Sequence, residues 1–157
     1  MSLPKTPSFR VDGRKALVTG AGRGIGRASA VALADAGADV VLAARTGAEV
    51  DALADEIRAT GGQASGLALD VSDLEATRAA VSEHGPFQIL VNNAGTNRPA
   101  FLQDITEDDY DLVTDLNVRS VVFLTQTVAK GLQDIGLSGS IINISSQMGH
   151  VGGPKRT

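Results

Sequence analysis

Residues 15–28 read Lys-Ala-Leu-Val-Thr-Gly-Ala-Gly-Arg-Gly-Ile-Gly-Arg-Ala, a short apolar run that meets four glycines and passes into a helical pattern. Ala16, Leu17 and Val18 read as a buried strand, Gly20, Gly22, Gly24 and Gly26 as a turn almost without side chains, and the residues from Ile25 onward as a helix start. Glycine lets the backbone take positive φ and lets a ligand approach closely. The first turn of a helix presents unpaired N–H groups and a partial positive charge to an anion. The stretch therefore reads as a cradle for a phosphate or pyrophosphate. Its spacing is Gly-x-x-x-Gly-x-Gly rather than Gly-x-Gly-x-x-Gly, so taken alone it also fits a tight strand-to-helix turn in which small residues serve packing. The absence of a Gly-Lys-Ser/Thr ending speaks against a P-loop.

Outward from this turn, apolar runs and helical patterns alternate. The first strand is expected near 14–20 and the first helix from Ile25 to Ala36, stopped by Gly37. Asp39-Val-Val-Leu-Ala-Ala44 is a continuous apolar run of the kind found in parallel sheets buried on both faces. Helical spacing resumes from about Ala48 through Val50, Leu53, Ala54 and Ile57 to Gly61-Gly62, and a third strand follows from Ala64 to Leu69, closed by Asp70-Val71. Ser72 with Glu75 has the form of a capping box opening a polar helix that runs to about His84 and is broken by Gly85-Pro86. Phe87 to Val91 reads as a fourth strand, ended by Asn92-Asn-Ala-Gly95. Thr106 with Asp109 marks another helix start, and the pattern through Leu112, Leu116, Val121, Leu124 and Val128 is long enough for the longest helix of the chain or two abutting ones. Ser140 to Ile144 is a fifth strand, followed by Ser145-Ser146 and a glycine-rich tail. Residues 1–13 carry Pro4, Pro7 and Gly13 and read as an N-terminal tail.

Such alternation implies parallel βαβ units with right-handed crossovers, hence a doubly wound α/β sheet forming one domain over 1–157. Sheets of this kind bind ligands beyond the carboxyl ends of their strands, at the point where strand order reverses. Residues 19–26, Arg45, Asp70, Asn92 to Gly95 and Ser145-Ser146 all fall at those ends.

Composition narrows the partners. The 157 residues carry 14 Lys+Arg against 18 Asp+Glu, a net charge of −4, with no basic run, which speaks against nucleic acid and anionic membranes and for a small-molecule partner. There is no cysteine, which removes disulfides and thiolate metal sites and fits a reducing compartment. With a polar, proline-broken start and no apolar stretch of the roughly 18 residues a span requires, the expected location is the cytoplasm. His84 and His150 lack metal-ligand spacing and read as a helix-end and a loop residue, so no metal is expected.

Arg45 stands where a fold that prefers NAD commonly places an acid for the ribose hydroxyls. Together with Arg23 inside the glycine turn it could grip a 2′-phosphate through charge-assisted hydrogen bonds, so NADP is expected ahead of NAD. Either arginine alone would read equally well as a solvated surface charge. Ser146 would project from a strand end toward the crevice as a hydroxyl donor to a substrate carbonyl or alcohol, its alternative being a turn or cap residue. Asn117 has the same bland alternative within its helix.

Together these residues resemble the short-chain dehydrogenase/reductase family from about Val11 to Thr157. Thr19-Gly-Ala-Gly-Arg-Gly-Ile-Gly26 is similar to the family's cofactor turn, including Gly20, Arg23, Gly24, Ile25 and Gly26. Asp70-Val71 is similar to its adenine contact, and Asn93, Ala94 and Gly95 within Asn92-Asn-Ala-Gly95 to its fourth-strand signature beside the adenine ribose and nicotinamide side. Asn117 in Leu116-Asn-Val matches the helix asparagine that holds a proton-relay water, and Ser146 matches the catalytic serine. The resemblance implies a Rossmann-type sheet ordered 3-2-1-4-5 and reversible hydride transfer between nicotinamide and a carbonyl or secondary alcohol, in a homo-oligomer, dimer or tetramer. The family's proton donor is a tyrosine in Tyr-x-x-x-Lys, which would fall just beyond Thr157. Tyr110 lies in the wrong segment to replace it. The expectation is therefore a cofactor-binding part of a longer protein, inactive alone, with later strands and helices absent and its fifth strand an uncovered edge. The alternative is a non-catalytic dinucleotide-binding or interaction module.

Overall fold

Five parallel strands carry the structure, and their order β3-β2-β1-β4-β5 places the first strand in the middle. The computed structural model describes residues 8–155. Strand β1 spans Lys15–Thr19, β2 Asp39–Ala44, β3 Gln63–Ala68, β4 Ile89–Asn92 and β5 Ser140–Asn143. Between them run helices α1 (Gly24–Asp35), α2 (Gly47–Ala59), α3 (Leu74–His84), α4 (Glu107–Thr114) and α5 (Ser120–Asp134). Ala16 pairs with Val40 on one side and Ile89 on the other, so the order reverses at β1, between its neighbours β2 and β4. This is the doubly wound sheet the alternation implies, in the Rossmann-type order the resemblance implies.

Strand side chains alternate between faces, and each face is covered. On one, Ala16, Val18, Val40, Leu42, Ile89 and Val91 meet Ala30 and Ala34 of α1 and Val50, Leu53, Ala54 and Ile57 of α2. On the other, Leu17, Val41, Ala43 and Leu90 meet Ala80 of α3 and Leu124, Val128 and Leu132 of α5. Burial on both faces is why these strands read as unbroken apolar runs rather than alternating ones. Leu124, Val128 and Leu132 recur at the helical four-residue step, which fixes the face α5 turns to the sheet.

The structure shifts several boundaries. The fourth strand begins at Ile89 rather than Phe87, yet Phe87 is 1% exposed and remains in the core. The third strand ends at Ala68, although Leu69 N–H still donates to Ala44 O at 2.9 Å. Helix α3 is capped by Asp73, whose Oδ1 accepts from the N–H groups of Glu75 and Ala76, each at 3.0 Å. Ser72 is not the cap, because its hydroxyl and N–H both donate to Asp70 Oδ1, at 2.7 and 3.0 Å. Thr106 does cap α4, accepting from Asp109 N–H at 3.1 Å. The long helix proves to be two, joined through one wide π turn over Asp115–Arg119. Of the expected N-terminal tail, residues 1–7 lie outside the described residues, and Val11 N–H ties the rest to Ala36 O at 2.9 Å. No helix among the described residues is long and apolar enough to cross a membrane.

Candidate functional site

At the carboxyl end of β1 the chain turns through Gly20, whose φ of 63° is open to glycine and costly for residues with a Cβ. A Cβ there would also lie 2.8 Å from Asn93 Nδ2 and 3.0 Å from Ala94 Cα. The start of α1 rests on this turn at Gly26, where a Cβ would collide with Gly20 O. These two glycines let strand, turn and helix approach to backbone contact. Sequence and packing here act together: the small residues are needed for the turn and also for what lies against it.

The turn is clamped to the end of β4. Thr19, 2% exposed, donates its hydroxyl to Val91 O at 3.3 Å and accepts from the N–H groups of Asn93 and Ala94, each at 3.0 Å. Asn93 Nδ2 donates back to Thr19 O at 2.9 Å and Gly20 O at 3.1 Å. On the other side, Ala21 N–H donates to Ala43 O at 3.1 Å. The neighbouring Asn92 Nδ2 reaches Thr125 Oγ1 at 3.0 Å and Asn143 Oδ1 at 2.8 Å, joining β4 to α5 and β5. The rim is thus a connected set of strand ends.

A cavity of about 580 Å³ opens on this rim, within the roughly 300–1,000 Å³ usual for ligand pockets. Of the residues singled out by sequence, Gly20, Arg23, Gly24, Ile25, Arg45, Asp70, Val71, Asn93, Ala94 and Gly95 line it. Gly26 lies beneath the turn instead. Arg23 is the N-terminal flanking residue of α1 and caps it with no side-chain hydrogen bond, so the first N–H groups of the helix are left without a side-chain acceptor. Leu69, Val71 and Leu116 add apolar wall. The Asp70 carboxyl is held below its ordinary range chiefly by the hydrogen bond from the Ser72 hydroxyl; desolvation, the next-largest effect, opposes this, and the Ser72 N–H and the Arg45 guanidinium add smaller lowering effects.

Ser146 and Asn117 are placed apart from the cavity lining. Ser146 Oγ accepts from Met148 N–H at 3.2 Å and caps a short 3-10 turn over Gln147–Gly149, the cap geometry that a Ser-Ser pair before a glycine-rich loop favours. Asn117 sits in the wide turn between α4 and α5, its Oδ1 accepting from Thr96 N–H and its Nδ2 donating to Thr96 O, both at 2.8 Å. Tyr110 is exposed on α4 and does not line the cavity. No group of three or more His, Asp or Glu residues among the described residues could hold a metal ion.

Sequence reasoning passed over Thr46, Glu49, Leu69 and Leu116, which also line the cavity. Glu49 alone had a legible signal: it lies in the first turn of α2, one turn beyond Arg45, so the chain doubling back from β2 returns it to the same wall.

The family model described as short chain dehydrogenase matches residues 14–157. The chain is 43% identical over 141 residues to D-erythrulose reductase from Gallus gallus, covering 90% of this chain and 56% of that protein. Among solved structures, a gluconate 5-dehydrogenase from Burkholderia cenocepacia J2315 in complex with NADP and tartrate superposes with a TM-score of 0.88 at 39% identity, over 94% of this chain and 59% of that one. A 7α-hydroxysteroid dehydrogenase complexed with NADH and 7-oxo glycochenodeoxycholic acid superposes with a TM-score of 0.87 at 35% identity, over 94% and 59%. The chain spans little more than half the length of the curated relatives it matches.

Proposed function

This chain belongs to the short-chain dehydrogenase family, and from that premise we propose that it forms the cofactor-binding part of an NADP-dependent oxidoreductase acting on a carbonyl or secondary alcohol. The observation that carries the reading is the N-terminus of α1. It opens on the cavity with no side chain capping it and with Arg23 and Arg45 in the wall, a fit for a ligand with a pyrophosphate and a further phosphate. Gly24, in the cavity wall, is where an added Cβ would meet nothing within 4 Å, so the turn is open there to close approach. Asp70, Val71, Asn93, Ala94 and Gly95 would bound the adenosine and the ribose beyond it. Bound there, the cofactor's nicotinamide would donate or accept a hydride.

Two residues would serve the substrate oxygen. Ser146 accepts the Met148 N–H, which orients its hydroxyl and leaves its own proton to donate. Asn117 is oriented by one hydrogen bond at each end of its amide to Thr96, and its main chain lies in the wide turn, where regular helical pairing is interrupted, so that side chain and carbonyl are the groups that would hold a relay water. A homo-oligomer, dimer or tetramer, would use the outer side of α4 and α5, where Tyr110, Leu112, Val118 and Val122 are exposed.

Calorimetric titration tests the cofactor assignment. NADPH is expected to bind more tightly than NADH, and Arg45→Asp to weaken NADPH by roughly 10- to 100-fold, the worth of a charge-assisted hydrogen bond of about 1.5–3 kcal/mol, with a smaller effect on NADH. Binding of neither nucleotide would sink the reading. Equal losses for both would remove the role given to Arg45.

A further inference from the structure

The wall that holds Arg23 and Arg45 also contains a carboxylate. Glu49 lines the same cavity from the first turn of α2. Its side chain lies along the glycine turn: a Cβ at residue 22 would fall 3.3 Å from Glu49 Cβ and run into its Oε2. The carboxylate is therefore set against the residue that precedes Arg23. Glu49 is exposed, and no hydrogen bond or ion pair joins its carboxylate to another described residue although two guanidinium groups share its cavity. An acid in a first helical turn is favoured by the helix dipole. That accounts for its presence on α2 but not for its lying against the turn.

A carboxylate at this place acts oppositely on the two kinds of adenosine ribose. It accepts charge-assisted hydrogen bonds from free 2′- and 3′-hydroxyls. Against a 2′-phosphate it sets like charge beside like charge, while Arg23 and Arg45 attract the same group. Discrimination is the difference between these affinities, so the acid acts on the ratio even where each binding constant changes little.

We propose that Glu49 is a specificity-determining residue of the cofactor site, which lowers the preference for the 2′-phosphorylated dinucleotide that Arg23 and Arg45 would set and lets the unphosphorylated one compete. The inference rests on the cofactor reading above. The acid missing from the end of β2 is replaced by one delivered from the next helix.

The test is calorimetric titration of the protein and of its Glu49→Gln and Glu49→Lys variants with 2′,5′-ADP and with 5′-AMP, which differ only in the 2′-phosphate. Both substitutions are at an exposed position, and thermal unfolding verifies that each variant folds. Glu49→Gln is expected to raise the ratio of 2′,5′-ADP to 5′-AMP affinity on the order of tenfold, one charge's worth at a partly screened site, and Glu49→Lys to raise it further. Added salt should shrink the difference. A ratio unchanged in both variants, with both nucleotides still bound, overturns the role of Glu49 and leaves the cofactor assignment standing. Failure of the unaltered protein to bind either nucleotide overturns the cofactor assignment and this inference with it.

Discussion

Asp70 shows how one side chain takes its character from two neighbours, Ser72 and Arg45. The Ser72 hydroxyl, the Ser72 N–H and the Arg45 guanidinium all favour its ionised form and hold its pKa below the ordinary 3.8. A carboxyl depressed on folding contributes stability that is present above the unfolded value and is lost as pH falls through the lower, folded one. Acid below about pH 3.8 should therefore release the loop after β3, with a small effect on global stability because the group is exposed. Ser72→Ala removes the leading cause and should move the Asp70 pKa up toward its ordinary value, read by NMR titration of the carboxyl carbon. An unmoved pKa would mean that the backbone N–H and Arg45 suffice. Asp70 and Arg45 were both legible in the sequence as strand-end residues. That Ser72 serves Asp70 rather than capping α3 was not, because Ser72 and Asp73 are neighbouring cap formers and only the fold decides which faces the helix.

Among elements, the decisive joint is between the ends of β1 and β4. Thr19 satisfies two partly buried N–H groups of the strand-four signature and returns one hydrogen bond to Val91 O. Thr19→Val keeps the shape and removes the acceptor, leaving the Asn93 and Ala94 N–H groups short of a partner. The expected cost is about 1–3 kcal/mol in denaturant unfolding, the usual penalty for an orphaned buried polar group. A loss below about 0.5 kcal/mol would show that water takes the place of the hydroxyl. The same substitution should loosen the turn and weaken nucleotide binding. The glycine turn was readable because it needs residues without side chains, and Asn92 to Gly95 because it ends an apolar run. The clamp between them was not readable, since Thr19 and Asn93 stand far apart in the chain and nothing in either segment names the other. The wide turn at Asp115–Arg119 is a similar case: its composition is that of an ordinary helix.

For the molecule as a whole, the sheet is covered on both faces around β1 but thins toward β5. Ile141, Ile142 and Ile144 are exposed, and β5 has only β4 beside it. An apolar edge strand presents unpaired backbone groups to other chains. The 157-residue chain prepared alone should therefore self-associate with rising concentration, seen as growing light scattering, and Ile142→Lys should suppress it by placing a charge on the strand, which is 47% exposed at that residue. Scattering that is unchanged by the substitution would put the association elsewhere, for instance on the outer side of α4 and α5. The alternation of apolar runs and helical patterns was enough to specify parallel units in a doubly wound sheet, because local periodicity and short connections leave few ways to bury both faces of a sheet, whereas the strand order was implied by the family resemblance. The glycine turn, Arg45, Asp70 and Asn93 could be placed on one rim by the same logic. Which side chains meet across that rim was decided only by tertiary packing, as in the return of Glu49 to the wall beside Arg23 and the turning of Ser146 to cap its own loop. Periodicity fixes which face a residue occupies, whereas meetings between segments distant in the chain depend on strand register and helix entry angle, which arise only when the whole core closes.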